Sequence, residues 1–410
     1  MLPKVFLNKN YVILFSGMTI SKLGMWFFTI AIPLIVYDLT HSPSKMAFVL
    51  ALELGAQVIF SLIGGALADQ MSKKKIMIIG DYASALFVLV VPILFLSGYN
   101  SIIVIYIAAF TLSALAAFHH PSFESAVPEI LSKEDLIQGN SFFRLSETII
   151  TFLGPAVAGI AIALFGNSNV LLITSVAFFL SGTIFLFLKF RDFAEEEKKR
   201  PELVKPIVEG LRYVFGTKII LVGSLVIFGI NIGFGAVESL FMYYLKDYLG
   251  LSPINIGLIF SLQAIGPILA VYFASKFKHI PRGNVIIYSG IVIGLAQMLL
   301  YFSQFSLVIL VFCQIFIKGS VTLLAINWFT LRQETVPSKL LGRVISSTRM
   351  VAFLALPFSA MIAGFLAESI NVLSIFLVAG AFAIVSSIVG VSLGLFDRKR
   401  LDKIQNDTAL

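Results

Sequence analysis

Eight charged side chains lie inside long apolar runs of this 410-residue sequence. They are Lys22, Glu53, Asp81, Arg144, Glu147, Glu238, Lys318 and Arg349. Charges in apolar segments are costly, so they usually pair with each other, bind polar groups of a solute or pass protons. Arg144 and Glu147 are three residues apart and would share one helix face. For these two, and for Asp81 and Arg349, a structural ion pair is the favoured interpretation.

The composition places these charges in a membrane. Hydrophobic residues make up 58% of the chain and charged residues only 13%, whereas soluble domains are about a quarter charged. The formal charge of +8 comes from residues in the loops, which is the distribution that membrane topology demands and not a nucleic-acid surface. We therefore expect a protein surrounded by membrane lipids that binds no nucleic acid.

Twelve apolar runs are long enough to cross a bilayer, which takes about 20 residues as a helix. They cover 11–37, 46–68, 76–98, 101–118, 139–165, 168–190, 219–245, 252–275, 284–303, 305–330, 343–367 and 371–396. They are too long for barrel strands and show no two-residue alternation. The sequence predicts an all-α integral membrane protein with twelve transmembrane helices, numbered here as spans 1 to 12.

A charged stretch at 191–218 divides the spans into six and six. We predict an N-terminal bundle at 1–190, a cytoplasmic linker at 191–218 and a C-terminal bundle at 219–410. The favoured interpretation is a solvated linker, in which Pro206 to Phe215 can form a short amphipathic helix on the membrane face. Lysines and arginines crowd the linker, both termini and alternate loops, so both termini should be cytoplasmic in the plasma membrane.

The two halves carry a weak internal repeat. FESAVPEILSKEDL follows span 4 and RQETVPSKLLGR follows span 10, and both place a Glu before Val-Pro. Aligning Ala68 with Ala274 sets Gln57 opposite Gln263. Two homologous six-helix halves are typical of transporters that are built from two bundles.

The loop between spans 2 and 3, within GGALADQMSKKK, resembles the signature loop of the major facilitator superfamily. The matching residues are Gly65, Leu67, Ala68, Asp69, Lys73 and Lys74, whereas Gln70 and Ser72 depart from the pattern. The stretches 137–159 and 332–350 look like the branch that contains macrolide efflux pumps and the enterobactin exporter. The resemblance implies two pseudo-symmetric bundles that alternate between two states.

The resemblance also implies a cytoplasmic gate. Asp69 would lie at the N-terminus of span 11, near Arg343, where the helix dipole favours an anion. Gly65, Lys73 and Lys74 would complete the gate, although an ordinary loop charge is the alternative for Asp69 and for the lysines. In span 5, residues Gly154, Pro155 and Gly159 resemble the exporters' Gly-Pro-x-x-Gly-Gly motif; the competing interpretation is a structural kink.

Spans 1, 4, 7 and 10 line the central cavity in this superfamily. The residues predicted to contribute to a substrate cavity are Lys22, Trp26, Gln57, Asn231, Glu238, Gln263, Gln314 and Lys318. Gly235 shares a face with Asn231 and Glu238. A mostly apolar wall with a few polar anchors suits an amphipathic small molecule.

Transport against a gradient requires an energy source, and the sequence has no Gly-x-x-x-x-Gly-Lys-Ser/Thr loop for ATP. Glu53 and Glu238 are therefore predicted to couple transport to protons. Lys22 can reach Glu53 in one conformational state and leave it in the other; the competing interpretation is a permanent ion pair between them. Span 4 lacks the arginine that many proton-coupled drug exporters carry there. In span 1, Met25 stands where this branch often has an acidic residue.

His119 and His120 are predicted to end span 4. Adjacent helical residues point about 100° apart, so the two do not suit one metal ion. With no catalytic arrangement and no cofactor signal, we expect a monomeric, non-enzymatic exporter of an amphipathic drug, macrolide or siderophore-like molecule, working by proton antiport. The alternatives are a flippase for a lipid-like solute, an importer on the same fold, or a non-transporting receptor.

Overall fold

The computed structural model describes residues 3–68, 72–189 and 204–395, with the backbone alone for 62–68 and 204–206. The first half contains α1 (Lys9–Thr40), α2 (Pro43–Ala68), α3 (Lys73–Leu96), α4 (Ile102–Ile130), α5 (Leu136–Phe165) and α6 (Asn167–Leu186). The second half contains α7 (Val204–Gly216), α8 (Lys218–Tyr243), α9 (Pro253–Leu262), α10 (Ile265–Ala274), α11 (Arg282–Leu299), α12 (Leu307–Thr335), α13 (Ser338–Leu366) and α14 (Val372–Ser392). Short 3₁₀ turns cover Lys4–Leu7, Lys276–His279 and Leu300–Phe305.

The described chain has twelve helices that are long and apolar enough to cross a membrane. This confirms the predicted number and order of spans. Helices are expected in a bilayer because every backbone N–H and C=O group must find its partner within the protein.

Two predicted boundaries differ clearly from the structure. Span 4 was predicted to end at 118, but α4 continues to Ile130 through Pro121 and Pro128. Neighbouring helices allow a membrane helix to tolerate internal prolines. Span 8 was predicted as one helix, but α9 ends at Leu262 and α10 begins at Ile265, and Gly266 N–H donates to Gln263 O at 3.1 Å.

Contacts divide the chain into two compact units. The first unit covers Met1–Pro201 and Leu245–Ser261, and the second covers Glu202–Tyr244 and Leu262–Leu410. A π-helical turn at Tyr244–Tyr248 begins at the residue where the chain leaves the second unit for the first.

In the first unit, α6 packs beside α1 and α3, and α2 packs beside α4. Gly17 permits close approach of α1 to α6, since a Cβ atom there would lie 2.5 Å from the Phe185 ring. The buried Tyr11 hydroxyl donates to Gly139 O at 2.8 Å and ties α1 to α5.

In the second unit, α8 packs against α13 and α14, and α11 packs against α12 and α14. Gly294 and Gly380 face each other's backbone, because a Cβ on Gly294 would lie 2.5 Å from Gly380 O. Small residues let membrane helices approach closely, and van der Waals contact then stabilises the pair.

The predicted linker helix is present as α7, which belongs to the second unit and packs on α13. Glu209 of α7 forms an ion pair with Arg343 of α13. The Tyr213 hydroxyl donates to Thr335 O at 3.3 Å. These contacts place α7 against the ends of α12 and α13.

Candidate functional site

Charged side chains from α1, α4 and α5 form a network in the first unit. Lys22 forms an ion pair with Glu147. The second carboxylate oxygen of Glu147 accepts from Arg144 at 2.8 Å, and Arg144 also donates to Glu124 at 3.0 Å. His120 lies 3.9 Å from Glu124. The ion pair predicted between Arg144 and Glu147 is therefore present, but it is one part of a larger network.

The network gives Lys22 a partner different from the predicted one. A permanent ion pair between Lys22 and Glu53 is wrong for this structure, because the ammonium group binds Glu147 on α5. Glu53 on α2 is partly buried and has no ion pair among the described residues. The helix that packs beside α1 determines the partner of Lys22. The sequence does not show which carboxylate reaches α1, because both lie in long apolar helices.

The motif in α5 contacts two other elements. A Cβ atom on Gly154 would lie 2.6 Å from Cδ1 of Trp26, so Trp26 packs directly on the helix backbone. A Cβ atom on Gly159 would lie 2.4 Å from Pro253 O. In return, a Cβ on Gly257 would lie 2.3 Å from Pro155 O. The Gly-Pro segment thus forms a close helix crossing with α9.

A hydrogen bond accompanies this crossing. The Ala156 N–H donates to the Ser261 hydroxyl at 3.0 Å. The preceding residue is Pro155, which has no N–H and interrupts the helical hydrogen bonds of α5. The Ser261 hydroxyl therefore satisfies a backbone group next to the interruption.

In the second unit, Glu238 of α8 and Lys318 of α12 form an ion pair of 2.5 Å. The Lys318 ammonium also lies 5.0 Å from the centre of the Phe234 ring, within the range of a cation–π contact. The other carboxylate oxygen of Glu238 is buried and has no hydrogen-bond partner in the part of the chain that the structure describes. About a fifth of each side chain is exposed, at 21% for Glu238 and 19% for Lys318.

The other predicted cavity residues have varied environments. Asn231 donates to Ala352 O at 2.8 Å, and Gly235 packs against Ser359 and Leu356. Gln314 has no exposed surface, and neither of its amide atoms has a partner among the residues described, so it does not line an open cavity in this structure. Of the aligned glutamines, Gln57 is exposed, whereas Gln263 is buried with an unpartnered amide oxygen.

The predicted gate is described only in part. Asp69 lies outside the described residues, and Gly65 lies in the backbone-only part of α2. Lys73 binds Glu129 and donates to Ser125 O at 2.9 Å, and Lys74 donates to Leu186 O and Leu188 O at 2.7 Å each. These lysines start α3 and connect it to α4 and to the end of α6. Arg343 binds Glu209 of α7.

The two adjacent histidines lie within α4 and do not end it, which corrects the predicted position. Nε2 of His119 lies 3.3 Å from Oδ1 of Asp81 on α3, and the Ser21 hydroxyl donates to the same oxygen at 3.1 Å. The described residues contain no group of three metal-ligating side chains. Sequence reasoning missed this pair, because span 4 was ended too early to place His119 inside the bundle.

Arg332 is a second residue whose position was missed. It was expected in a loop, but it lies in the last turn of α12 and is 7% exposed. It donates to the Thr348 hydroxyl at 2.7 Å and stacks 5.1 Å from the Trp328 ring. The sequence did contain a signal for this position. Arg332 follows Trp328 by four residues, which puts both side chains on one helix face. Arg349 lies over the Phe353 ring.

Twelve apolar helices in two compact units, with ion pairs held between the helices, define a polytopic membrane transporter fold. The family model described as "Transmembrane secretion effector" matches residues 5–409. The chain therefore belongs to this family of the major facilitator superfamily, whose members are transporters and not enzymes. This confirms the resemblance that the loop after span 2 indicated.

Related proteins have efflux names. The chain is 27% identical to the multidrug efflux pump Tap of Mycolicibacterium fortuitum, over 93% of this chain and 95% of that protein. It is 23% identical to macrolide efflux protein A of Streptococcus pyogenes, again over 93% and 95%. The crystal structure of the nucleoside transporter NupG has a TM-score of 0.74 at 14% identity, covering 94% of this chain and 99% of that one. At that identity the structural match shows the fold alone.

Proposed function

We propose that the protein exports an amphipathic small molecule by alternating access, in exchange for protons, with a single chain in the plasma membrane as the transporting unit. The family match supports transport, and the names of the two efflux relatives support export of a drug-like substrate. The observation in the structure that carries the proposal is the Glu238–Lys318 pair beside Phe234.

This pair has the properties of a substrate anchor. An ammonium group, a carboxylate with one unpartnered oxygen and an aromatic ring lie together between apolar helices. An amphipathic solute needs a largely apolar surface with a few polar groups that fix its orientation. The free oxygen of Glu238 can accept a hydrogen bond from such a solute without breaking the contact with Lys318.

Glu53 and Glu238 are the proposed carriers of the coupling proton. Glu53 has no described ion pair, so no neighbouring cation holds it ionised. Glu238 has a single cationic partner that can move away. A carboxylate whose exposure changes between two conformations can bind a proton in one and release it in the other.

Gly65, Asp69, Lys73, Lys74 and Arg343 form the proposed cytoplasmic gate. The contacts of Lys73 and Lys74 with α4 and α6 support a rigid cytoplasmic end of the first unit. The Arg343–Glu209 pair does the same for the second unit. Asp69→Asn should weaken the closed cytoplasmic side, because an anion near a helix N-terminus contributes about 0.3–1 kcal/mol.

Uptake into everted membrane vesicles tests the export proposal directly. The probes are ethidium and erythromycin, with and without an acidic vesicle interior. We expect uptake of at least one probe that the pH gradient accelerates, and Glu238→Gln should reduce it by about tenfold or more. Glu334→Gln is the matched control, because Glu334 is exposed and pairs with Arg282 near the end of α12.

Other outcomes of the same assay would replace the proposal. Movement of a fluorescent short-chain lipid, with no uptake of the two probes, would favour the flippase. Probe movement in the opposite direction would favour an importer. No movement of any probe, in protein that folds normally, would favour a receptor.

The proposed orientation has its own test. Single cysteines replace Asn100, Asn167 or Ser252, in a chain whose only native cysteine, Cys313, is changed to serine. All three positions should react in intact cells with a thiol reagent that does not cross membranes. Labelling only after lysis would place both termini outside.

A further inference from the structure

Asp81 and His119 form a polar pair in the first unit that the substrate anchor does not use. The Asp81 side chain is 3% exposed and the His119 side chain 16%. Their nearest atoms are 3.3 Å apart, but Nε2 of His119 has no hydrogen-bond partner within residues 3–68, 72–189 and 204–395. The second carboxylate oxygen of Asp81 is also buried and unpartnered. Each residue of the pair therefore has one buried polar atom without a hydrogen-bond partner among the described residues.

The pair opens onto a small cavity of about 180 Å³ between α1, α3, α4 and α6. Its walls are mostly apolar, including Met18, Leu112 and Phe178. The charged or titratable groups that face it are Lys22 from α1, Asp81 from α3, and His119 and His120 from α4, while α6 contributes only the Phe178 ring. A cavity of this size has room for several water molecules, and the polar atoms of the pair supply their partners.

The Asp81 carboxylate is a buried group with few polar partners among the described residues. An ionised Asp81 opposite a neutral His119 would leave one negative charge buried, with a single hydrogen bond from Ser21. Burying an uncompensated charge is costly. A proton on Asp81 cancels that charge, and a proton on His119 creates an ion pair with Asp81. Because the nearest atoms of the two side chains are 3.3 Å apart, a proton on either of them lowers the cost of the buried charge.

We propose that the Asp81–His119 pair is a further binding site for the coupling proton, in addition to Glu53 and Glu238 and separate from the substrate anchor in the second unit. The inference rests on the proposed proton antiport. Water in the cavity delivers the proton to Nε2 of His119 or to the carboxylate of Asp81, and the reverse step returns it to water. No bond other than O–H or N–H changes.

Two adjacent histidines make the chemistry testable with an internal control. His119 faces Asp81, whereas His120 is more exposed, at 52%, and lies 3.9 Å from Glu124. If Asp81 and His119 share a proton, a substitution of Asp81 changes the protonation of His119 and not that of His120. Glu53 lies on α2 and does not line the cavity, so Glu53→Gln leaves this site intact.

The first experiment observes the site without any transported substrate. The sequence has four histidines, so ¹⁵N-histidine NMR of the full chain in lipid nanodiscs can be assigned by single substitutions. We expect the His119 signals to change as the pH is varied. Asp81→Asn should alter that pH response, and His120→Gln should leave it unchanged. A His119 signal that ignores pH, or that responds identically in Asp81→Asn, overturns the proposal.

The second experiment measures coupling in proteoliposomes with ethidium as the probe. In Asp81→Asn and His119→Gln, exchange without a gradient should continue, and the rates with and without a pH gradient should agree within about twofold. His120→Gln should keep the acceleration. Gradient-driven transport that survives in both variants overturns the coupling role.

The two experiments also separate this inference from the transport proposal. If the wild-type protein moves no probe, the proposed function fails while the NMR result still decides whether the pair binds a proton. If Asp81→Asn does not fold, Ser21→Ala removes only one hydrogen bond to Asp81 and must alter the His119 signals. Unchanged signals in that variant count against the site.

Discussion

The lysine–glutamate pairs Lys22–Glu147 and Lys318–Glu238 consist of the same side chains but have different neighbours. Glu147 is shared by Lys22 and Arg144, and Arg144 also holds Glu124. Among the described residues, Glu238 pairs with Lys318 alone, and one of its oxygens has no hydrogen-bond partner. A charged side chain with several partners is fixed in one conformation, whereas a side chain with a single partner can exchange that partner for a solute or a proton. We therefore expect a structural role for the first pair, and the proposed transport role belongs to the second.

The largest effect is expected when the isolated pair is broken. Glu238→Gln leaves the Lys318 ammonium without its carboxylate, which should cost about 1–3 kcal/mol of stability. Transport of ethidium should fall by about tenfold or more. The double variant Glu238→Gln with Lys318→Met removes the unpaired charge, so thermal stability should recover while transport does not. Recovery of both would make this pair structural.

A smaller effect on transport is expected when the shared pair is broken. Glu147→Gln removes the carboxylate of Lys22, but Glu124 still holds Arg144. Thermal unfolding should occur at a lower temperature, because a partly buried ammonium loses its partner. The transport rate per folded molecule should stay within about threefold of wild type. A loss as large as that of Glu238→Gln would remove the distinction between the two pairs.

The smallest effect is expected from Arg144→Gln, which makes the first pair resemble the second. The Arg144 side chain is 68% exposed, so its ion pairs should contribute no more than about 1 kcal/mol. Glu147 keeps Lys22 as its only cation. A double-mutant cycle between Lys22 and Glu147, measured with and without Arg144, should give a larger coupling energy when Arg144 is absent. Equal coupling energies would show that the network does not share its charges.

The number and order of the membrane helices could be predicted because each requires a continuous apolar run, which the sequence displays directly. The partner of Lys22 could not be predicted in the same way. Glu53 and Glu147 both lie in such runs, and only the packing of α1 beside α5 brings Glu147 within reach. The identity of adjacent helices depends on long-range contacts that no local pattern contains.

The end of span 4 shows a second limit. Two histidines followed by prolines, serine and glutamate look like a loop, since these residues usually end helices. In the structure α4 continues through Pro121 and Pro128. Glu129 in its last turns binds Lys73 at the start of α3. A tertiary ion pair therefore accompanies the part of the helix that local propensity disfavours.

The segment at 245–261 has an irregular turn at each end. A π turn covers Tyr244–Tyr248, and the chain leaves α-helical geometry again after Leu262. The same two positions mark where the contacts pass from the second unit to the first and back. Irregular turns bend more easily than a continuous helix and often mark hinges. We expect the chain to bend most easily at these two turns, so that the segment between them can tilt without deformation of its own helix.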